Sequence, residues 1–231
     1  ITYGIDNPSD VFAIDVEEKS DGAEFIVNLF DRIYNVKLNL IGRCNVYNAL
    51  CASTVCALFG IKTETVIEGL ESIKGISGRL ELVYSGEYRI FIDYAHSPDG
   101  LNNALTSLRE ISDGRLICIF GCGGDRDEQK REIMGRISGE KADFTIITTD
   151  NPRYEEPMEI IYQIEKGIMS ITNNYVLIEN REDAIRYAIN NSIKNDVILI
   201  AGKGAENYQE IFGIKKLYND KDTVKGILGL S

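Results

Sequence analysis

The second part of the chain repeats one pattern, in which a short run of apolar residues is followed by a stretch with helical periodicity. Uninterrupted apolar runs are typical of strands buried on both faces of a parallel sheet, with helices packed against each face. The predicted strands are 89–92, 116–120, 144–147, 175–178 and 197–200, and the predicted helices lie near 98–111, 127–140, 157–169 and 181–193. This alternation predicts an α/β fold with a mostly parallel sheet.

The first part of the chain has a different pattern. Residues 10–40 contain three segments of alternating apolar and polar residues, separated by turn-forming residues, which predicts antiparallel hairpins. Helical patterns follow at 45–59 and 63–73, each with a glycine shortly after its end. The change of pattern predicts a domain boundary near residues 75–78.

Composition limits the class of protein. A chain of 231 residues, 44% of them hydrophobic, can form one large or two modest domains. The net charge of -11 disfavours binding to nucleic acid or to an anionic membrane. Five cysteines, an odd number, indicate a reducing cytosol, and no apolar run reaches the roughly 18 residues of a membrane span. Because the sequence starts at Ile1 rather than at a methionine, we expect it to be a piece of a longer protein.

Polar loops follow four of the predicted parallel strands, at 93–96, 121–127, 150–153 and 201–206. The carboxyl ends of parallel strands share one edge of a sheet, and ligands bind there, near the point where the strand order reverses. The four loops together therefore predict a ligand site at that edge.

The 150–153 loop carries the clearest chemical signal. It places Asp150, Asn151 and Arg153 around the rigid Pro152. An arginine can pair with a carboxylate in two-point geometry, and an aspartate can accept an ammonium, so this loop could hold both ends of a zwitterion. The same residues also suit an ordinary turn, and the loop by itself leaves both interpretations open.

The other loops are less specific. The glycines at 121–124 would let backbone N–H groups approach an anion, but they lack the spacing of a nucleotide P-loop and suit a tight turn equally well. Asp93, at a strand end, could accept hydrogen bonds from a ribose, whereas a lone histidine such as His96 is more often structural. The sequence has no cysteine and histidine cluster with zinc spacing and no nucleophilic serine elbow, so no catalytic or metal-binding residue is predicted in this chain.

Six motifs occur in order along the chain, at 42–50, 78–81, 93–99, 121–127 with Lys130 and Arg131, 150–157, and 202–206 with Tyr208 and Gln209. This set resembles the motifs of the Mur ligases, and within that family the MurE type, which adds an amino acid to a UDP-N-acetylmuramoyl dipeptide in peptidoglycan synthesis. The resemblance covers nearly the whole chain, and the ordered set is far more specific than any one motif.

The resemblance implies a protein in two parts. Residues 1–77 would be the C-terminal part of a central ATP-binding domain, and residues 78–231 a Rossmann-like domain that binds the incoming amino acid. The enzyme would be cytoplasmic and monomeric, and would use ATP and Mg²⁺ to convert a carboxylate into an acyl phosphate that the amine attacks. The family's phosphate-binding loop and Mg²⁺ ligands lie before the first residue of this sequence, so we expect this chain alone to be inactive as a ligase.

The resemblance also implies roles for individual residues. The positions that match those holding the nucleotide are Asn45, Arg79, Asp93 and the nearby His96. The positions that match those holding the amino acid are Arg126, Asp150, Asn151, Pro152, Arg153, Gly202 and Glu206.

In this family the Asp-Asn-Pro-Arg loop goes with meso-diaminopimelate, and lysine-adding members lack the arginine. The physical logic agrees, because diaminopimelate has a second carboxylate that Arg153 could pair with, whereas lysine would leave the guanidinium unpaired. Asp150 or Glu206 would accept the distal ammonium.

One departure and several alternatives follow from the same motifs. The family has histidine where this chain has Ala205. The alternatives are a related ligase, either lysine-adding, cyanophycin-synthetase-like or folylpolyglutamate-synthetase-like, and a non-catalytic amino-acid-binding module.

Overall fold

The computed structural model describes residues 1–19 and 21–230. The chain divides into two compact units, of which the first is Ile1–Ile76 and the second begins at Ser77. No helix of the described residues is long and apolar enough to cross a membrane.

The first unit is a four-stranded sheet with two helices. Strands β2, β3 and β4 pair antiparallel, so the predicted hairpins are confirmed, and the short β1 adds a parallel pair with β2. Its elements are β1 (Tyr3–Ile5), β2 (Val11–Lys19), β3 (Gly22–Leu29), β4 (Arg32–Leu38), α1 (Arg43–Leu58) and α2 (Thr63–Ser72).

One face of this sheet is buried under the helices. Along β3, Phe25, Val27 and Leu29 are buried while the residues between them are partly exposed, as the two-residue period of a half-buried strand requires. These side chains pack with Val46 and Leu50 of α1 in one hydrophobic cluster.

The second unit is built on a six-stranded sheet with the order β5-β6-β10-β7-β8-β9. Strands β6 to β10 are all parallel, and only the edge strand β5 is antiparallel, which confirms the predicted α/β fold. The strands are β5 (Glu81–Ser85), β6 (Arg89–Asp93), β7 (Leu116–Phe120), β8 (Phe144–Ile147), β9 (Tyr175–Leu177) and β10 (Val197–Ala201).

Helices cover this sheet on both faces. Ile185 of α6 and Val224 of α7 pack with Ile90, Ile117 and Ile198 on one face. Alternation turns the residues between these strand positions to the opposite face, where α3, α4 and α5 pack against the sheet and one another. The helices are α3 (Pro98–Glu110), α4 (Gln129–Lys141), α5 (Pro157–Ile168), α6 (Arg181–Asn190) and α7 (Asp220–Leu228).

The helix starts follow from local sequence. Ser97 accepts a hydrogen bond from the Gly100 N–H and precedes a proline, and Asn180 accepts one from the Asp183 N–H. Such caps satisfy backbone donors that a helix start leaves unpaired. Each cap lies shortly after a parallel strand, so the loop in between is short and its position is fixed by the sheet.

The strand order reverses at the centre of the sheet. The chain passes from β6 over to β7, continues outward to β9 and then returns with β10 between β6 and β7. After β10 it forms a hairpin, β11 (Tyr208–Ile211) and β12 (Ile214–Leu217), that the sequence pattern does not predict. The reversal point is therefore flanked by the ends of β6, β10 and β7.

Candidate functional site

Four polar loops lie at neighbouring positions along one edge of the second unit's sheet, because they follow the adjacent parallel strands β6, β10, β7 and β8. Hydrogen bonds join them pairwise. The Gly202 N–H donates to the Asp93 carbonyl over 3.0 Å, and the Thr148 N–H donates to the Phe120 carbonyl over 2.9 Å. These bonds join the 93–96 loop to the 201–206 loop, and the end of β7 to the end of β8.

The 150–153 loop is held by the glycine loop after β7. The Gly124 N–H donates to the Asn151 carbonyl over 2.9 Å, and Arg153 Nη1 donates to the Gly124 carbonyl over 2.6 Å. The Gly124 N–H therefore holds the 150–153 loop rather than an anion.

The β11–β12 hairpin fixes the other side of Arg153. The Arg153 N–H donates to the Glu210 carbonyl, and the Phe212 N–H donates to the Arg153 carbonyl. Arg153 has a φ of 53°, in the left-handed region that side chains other than glycine seldom adopt. These bonds fix the main chain of Arg153, while its half-buried guanidinium donates to the Gly124 carbonyl.

Asn151 is the centre of a polar network. Its Oδ1 accepts from the Lys203 ammonium and from the Glu210 N–H, both over 3.0 Å. Its Nδ2 donates to Glu206 Oε2 over 3.0 Å. Because Oδ1 takes two donors, the orientation of the amide is defined, and Asn151 connects the ends of β8 and β10.

Asp150 is a buried carboxylate. Its Oδ1 lies 3.7 Å from the Lys203 ammonium, beyond hydrogen-bond length, and its backbone carbonyl accepts from Gln209 Nε2 over 2.8 Å. Burial raises the pKa of Asp150, although Arg181 and Lys203 act in the opposite direction. A cation that reached this carboxylate would meet a group that the protein has only partly neutralised.

Gly202 faces Asp150 across the site. It has a φ of +112°, and a Cβ atom on it would lie 2.9 Å from Asp150 Oδ2. Any side chain here would be strained by the backbone and would press on the carboxylate. The glycine therefore keeps the approach to Asp150 open.

Arg126 is exposed, and the loop that carries it is held by a partly buried ion pair. The fully buried Arg131 forms two hydrogen bonds of 2.8 Å with Glu155, whose Oε1 also accepts from the Asp125 N–H. This pairing lowers the pKa of Glu155. The paired Arg131 and Glu155 thus tie the 121–127 loop to the segment that follows Arg153.

The 93–96 loop carries a second group of candidate residues around Tyr94. The exposed Arg79 guanidinium lies 4.8 Å from the centre of the Tyr94 ring, and the His96 ring meets Tyr94 edge-on at 4.7 Å. Asp93 is buried, which raises its pKa, and its two oxygens accept from the Leu80 and Ala95 N–H groups over 2.7 Å. Each carboxylate oxygen keeps a further lone pair.

Asn45 belongs to the first unit. It is half-buried near the start of α1, where its Nδ2 donates to the Ile41 carbonyl over 2.8 Å and its Oδ1 accepts from Asn48 over 3.2 Å.

The remaining predicted residues lie together. The ends of β7, β8 and β10 carry Arg126, Asp150, Asn151, Pro152, Arg153, Gly202 and Glu206. Sequence reasoning gave no role to Lys203, although its position between two glycines in a matched motif was a signal. It also missed the buried pair of Arg181 and Asp220, which no local pattern marks.

A metal site is not evident in the part of the chain that the structure describes. Among those residues, no group of three or more histidine, cysteine, aspartate or glutamate side chains could hold a metal ion.

Two family models match the chain. Residues 78–204 match the Mur ligase glutamate ligase domain, and residues 1–56 match the Mur ligase middle domain. The chain belongs to the Mur ligase family.

Curated Mur ligases resemble the chain over its whole length. The UDP-N-acetylmuramoyl-L-alanyl-D-glutamate--2,6-diaminopimelate ligase of Caldanaerobacter subterraneus subsp. tengcongensis is 46% identical, over 100% of this chain and 48% of that protein. The ligase 1 of the same name from Clostridium acetobutylicum is 44% identical, over 97% of this chain and 46% of that protein. The chain thus spans about half the length of these Mur ligases.

Solved structures show the same fold. A UDP-N-acetylmuramoyl-L-alanyl-D-glutamate--2,6-diaminopimelate ligase matches with a TM-score of 0.69 and 31% identity, over 98% of this chain and 47% of that one. Folylpolyglutamate synthase of Mycobacterium tuberculosis matches with a TM-score of 0.71 at 20% identity, over 98% of this chain and 49% of that one. The second likeness concerns the fold alone.

Proposed function

We propose that the second unit binds meso-diaminopimelate, and that the whole protein joins it to UDP-N-acetylmuramoyl-L-alanyl-D-glutamate with ATP in peptidoglycan synthesis. One observation carries this proposal: a guanidinium and two carboxylates come together at the ends of β8 and β10, the strands on either side of β7. Arg153 and Asp150 share one loop, and Glu206 is hydrogen-bonded to that loop through Asn151. The names of the similar ligases support the same substrate.

The charges suit an amino acid that is zwitterionic at both ends. The guanidiniums of Arg126 and Arg153 are partners for carboxylates, and Asp150 and Glu206 are partners for an ammonium. Lysine lacks one of the two carboxylates of diaminopimelate and would leave a guanidinium unpaired. Arg153 is half-buried, and an unpaired, partly buried polar group costs about 1–3 kcal/mol, which is enough for about tenfold discrimination.

In the reaction that we propose, the site would orient the amino acid. An amine attacks an acyl phosphate only as the neutral base, so the reacting amine must be held away from Asp150 and Glu206, which stabilise an ammonium. Holding the distal ammonium and carboxylate therefore presents the other end of the molecule to the acyl phosphate.

For the nucleotide we propose Arg79, Asp93, His96 and, in the first unit, Asn45. The exposed Arg79 guanidinium suits a phosphate, and the free lone pairs of Asp93 suit a ribose hydroxyl. Mg²⁺ is expected of an ATP-dependent ligase, but the described residues offer no cluster to hold it, and we assign no step to it.

The proposed division of labour follows the two units. The first would be the C-terminal part of the central ATP-binding domain, and the second the amino-acid-binding domain of a monomeric cytoplasmic enzyme. The family models matched at 1–56 and 78–204 support this assignment.

The test is the melting temperature of the chain with either amino acid. A ligand that binds only the folded state adds about 2.7 kcal/mol of stability at one hundred times its Kd. Diaminopimelate should raise the melting temperature and lysine at the same concentration should raise it much less. Equal shifts, or no shift with diaminopimelate, would contradict the proposal.

A further inference from the structure

Lys203 is a lysine with no exposed surface, located between the two carboxylates of the proposed site. Its ammonium donates to Asn151 Oδ1 and Glu206 Oε2, both over 3.0 Å, and lies 3.7 Å from Asp150 Oδ1. It also lies 5.6 Å from the centre of the Tyr208 ring. Lysine is almost never fully buried unless it is paired, so this position has a specific use for a cation.

The contacts of Lys203 determine which atoms remain for a ligand. Glu206 Oε2 accepts from both Lys203 and Asn151, so it is already hydrogen-bonded twice. Glu206 Oε1 receives neither of these bonds. Because the Glu206 side chain is 22% exposed whereas that of Lys203 is buried, an arriving ammonium would meet Glu206 and not Lys203.

The charges of this cluster leave one negative charge in excess. Asp150 and Glu206 contribute two negative charges and Lys203 one positive charge, while Arg181 and Asp220, which also act on Asp150, pair with each other. A bound ammonium would supply the missing positive charge. Lys203 acts against the rise that burial causes in the pKa of Asp150, so without Lys203 the Asp150 carboxylate would be easier to protonate.

The backbone of the turn is held independently of the Lys203 side chain. The Glu206 N–H donates to the Lys203 carbonyl over 3.0 Å, and Asn219 Nδ2 donates to the Glu206 carbonyl over 3.0 Å. Removing the ammonium should therefore leave the turn in place.

We propose that Lys203 is a positioning residue of the amino-acid site, which orients Asn151 and Glu206 and helps keep Asp150 ionised for the ligand's distal ammonium. This inference rests on the proposed function. It gives the buried lysine a role in specificity for ligands that carry an ammonium far from the reacting amine.

The experiment compares the chain with its Lys203→Met and Lys203→Arg variants. Methionine keeps an unbranched apolar stem and removes the charge, whereas arginine keeps the charge. Diaminopimelate affinity is measured by NMR titration across a range of pH, and the Asp150 carboxyl group is titrated without ligand. For Lys203→Met we expect about tenfold or more loss of affinity at neutral pH. As the pH is lowered, binding should be lost at a pH about one unit higher than in the wild type. Lys203→Arg should lose binding at nearly the same acidic pH as the wild type.

The control is Lys215→Met. Lys215 is exposed and lies 4.5 Å from the centre of the same Tyr208 ring, and its variant should behave like the wild type. Equal losses in both methionine variants, or wild-type affinity and carboxyl titration in Lys203→Met, would overturn the role of Lys203 only. Wild-type protein that binds no diaminopimelate would overturn the proposed function as well.

A measurement on the wild type covers the case in which Lys203→Met does not fold. A buried, hydrogen-bonded ammonium exchanges its protons slowly, so the Lys203 Nζ resonance should be visible and should shift when diaminopimelate is added. A Lys203 ammonium in fast exchange with solvent, or one that the ligand leaves unchanged, would overturn the inference.

Discussion

Two arginines of helix α6 pair with carboxylates in different surroundings. Arg181 Nε and Nη2 each donate to Asp220 over 2.8 Å, and neither side chain is exposed. Arg186 donates to Glu182 over 2.7 Å, but these side chains are 47% and 54% exposed. Burial alone would lower the pKa of Arg181, but Asp220 outweighs it and the net shift is upward.

The two pairs should differ strongly when the acid is changed to its amide. Asp220→Asn leaves the buried Arg181 guanidinium without its counter-charge, and breaking such a buried pair costs about 3–5 kcal/mol. Glu182→Gln breaks an exposed pair, which costs about 0.2–1 kcal/mol. Asp220 and Glu182 both lie in the first turn of a helix, so their interactions with the helix dipole are matched.

The buried pair also supports the candidate site. Arg181 Nη2 donates to the Ala201 carbonyl over 2.9 Å, at the end of β10 and next to Gly202. Loss of Asp220 should therefore loosen the strand end that carries the 202–206 loop.

The assay is urea unfolding followed by circular dichroism, with hydrogen exchange of the β10 amides to assign the transition to the second unit. In a thermal melt, the expected loss in the free energy of unfolding for Asp220→Asn would lower the melting temperature by about 6–20 °C. If Asp220→Asn were no more costly than Glu182→Gln, the reasoning that burial decides the energy of these pairs would be refuted.

Three further predictions concern single positions. Gly213→Ala places a side chain at a φ of +74°, with its Cβ 2.7 Å from the Tyr154 hydroxyl, and should cost about 1–2 kcal/mol in urea unfolding. Burial raises the pKa of Asp150, so the folded state loses stability as the pH rises above the ordinary carboxyl range. The melting temperature of Asp150→Asn should therefore be higher than that of the wild type at neutral pH. This difference should vanish below about pH 4. Burial raises the pKa of Cys118 and of Cys122 to about 12, so mass spectrometry should find both unalkylated by iodoacetamide in the folded protein and alkylated in urea.

The regular elements of the second unit could be predicted because they have strong periodicity. Strands β7 and β10 are apolar at every position and buried at every position. Strand β5 and the β11–β12 hairpin lack such a signal, since their residues are mostly half-exposed or exposed. Short strands of this kind are defined by their pairing partners, which a local pattern does not contain.

The place of the candidate site could also be predicted, because the ends of parallel strands share an edge. Its internal contacts could not. The hydrogen bonds that join Asn151 to Lys203 and Glu206 link residues more than fifty positions apart. The pairing of Arg181 with Asp220 depends in the same way on how α6 and α7 pack, and no sequence spacing expresses that.

The central claim is that the 150–153 loop selects an amino acid with a second carboxylate, and isothermal titration calorimetry tests it most directly. The wild-type chain and its Arg153→Ala variant are each titrated with meso-diaminopimelate and with lysine. Arg136→Ala, which removes an exposed arginine from α4, serves as the control. We expect the wild type and the control to prefer diaminopimelate by about tenfold or more, and Arg153→Ala to lose most of that preference. Equal affinity of the wild type for both amino acids, or an undiminished preference in Arg153→Ala, would contradict the account.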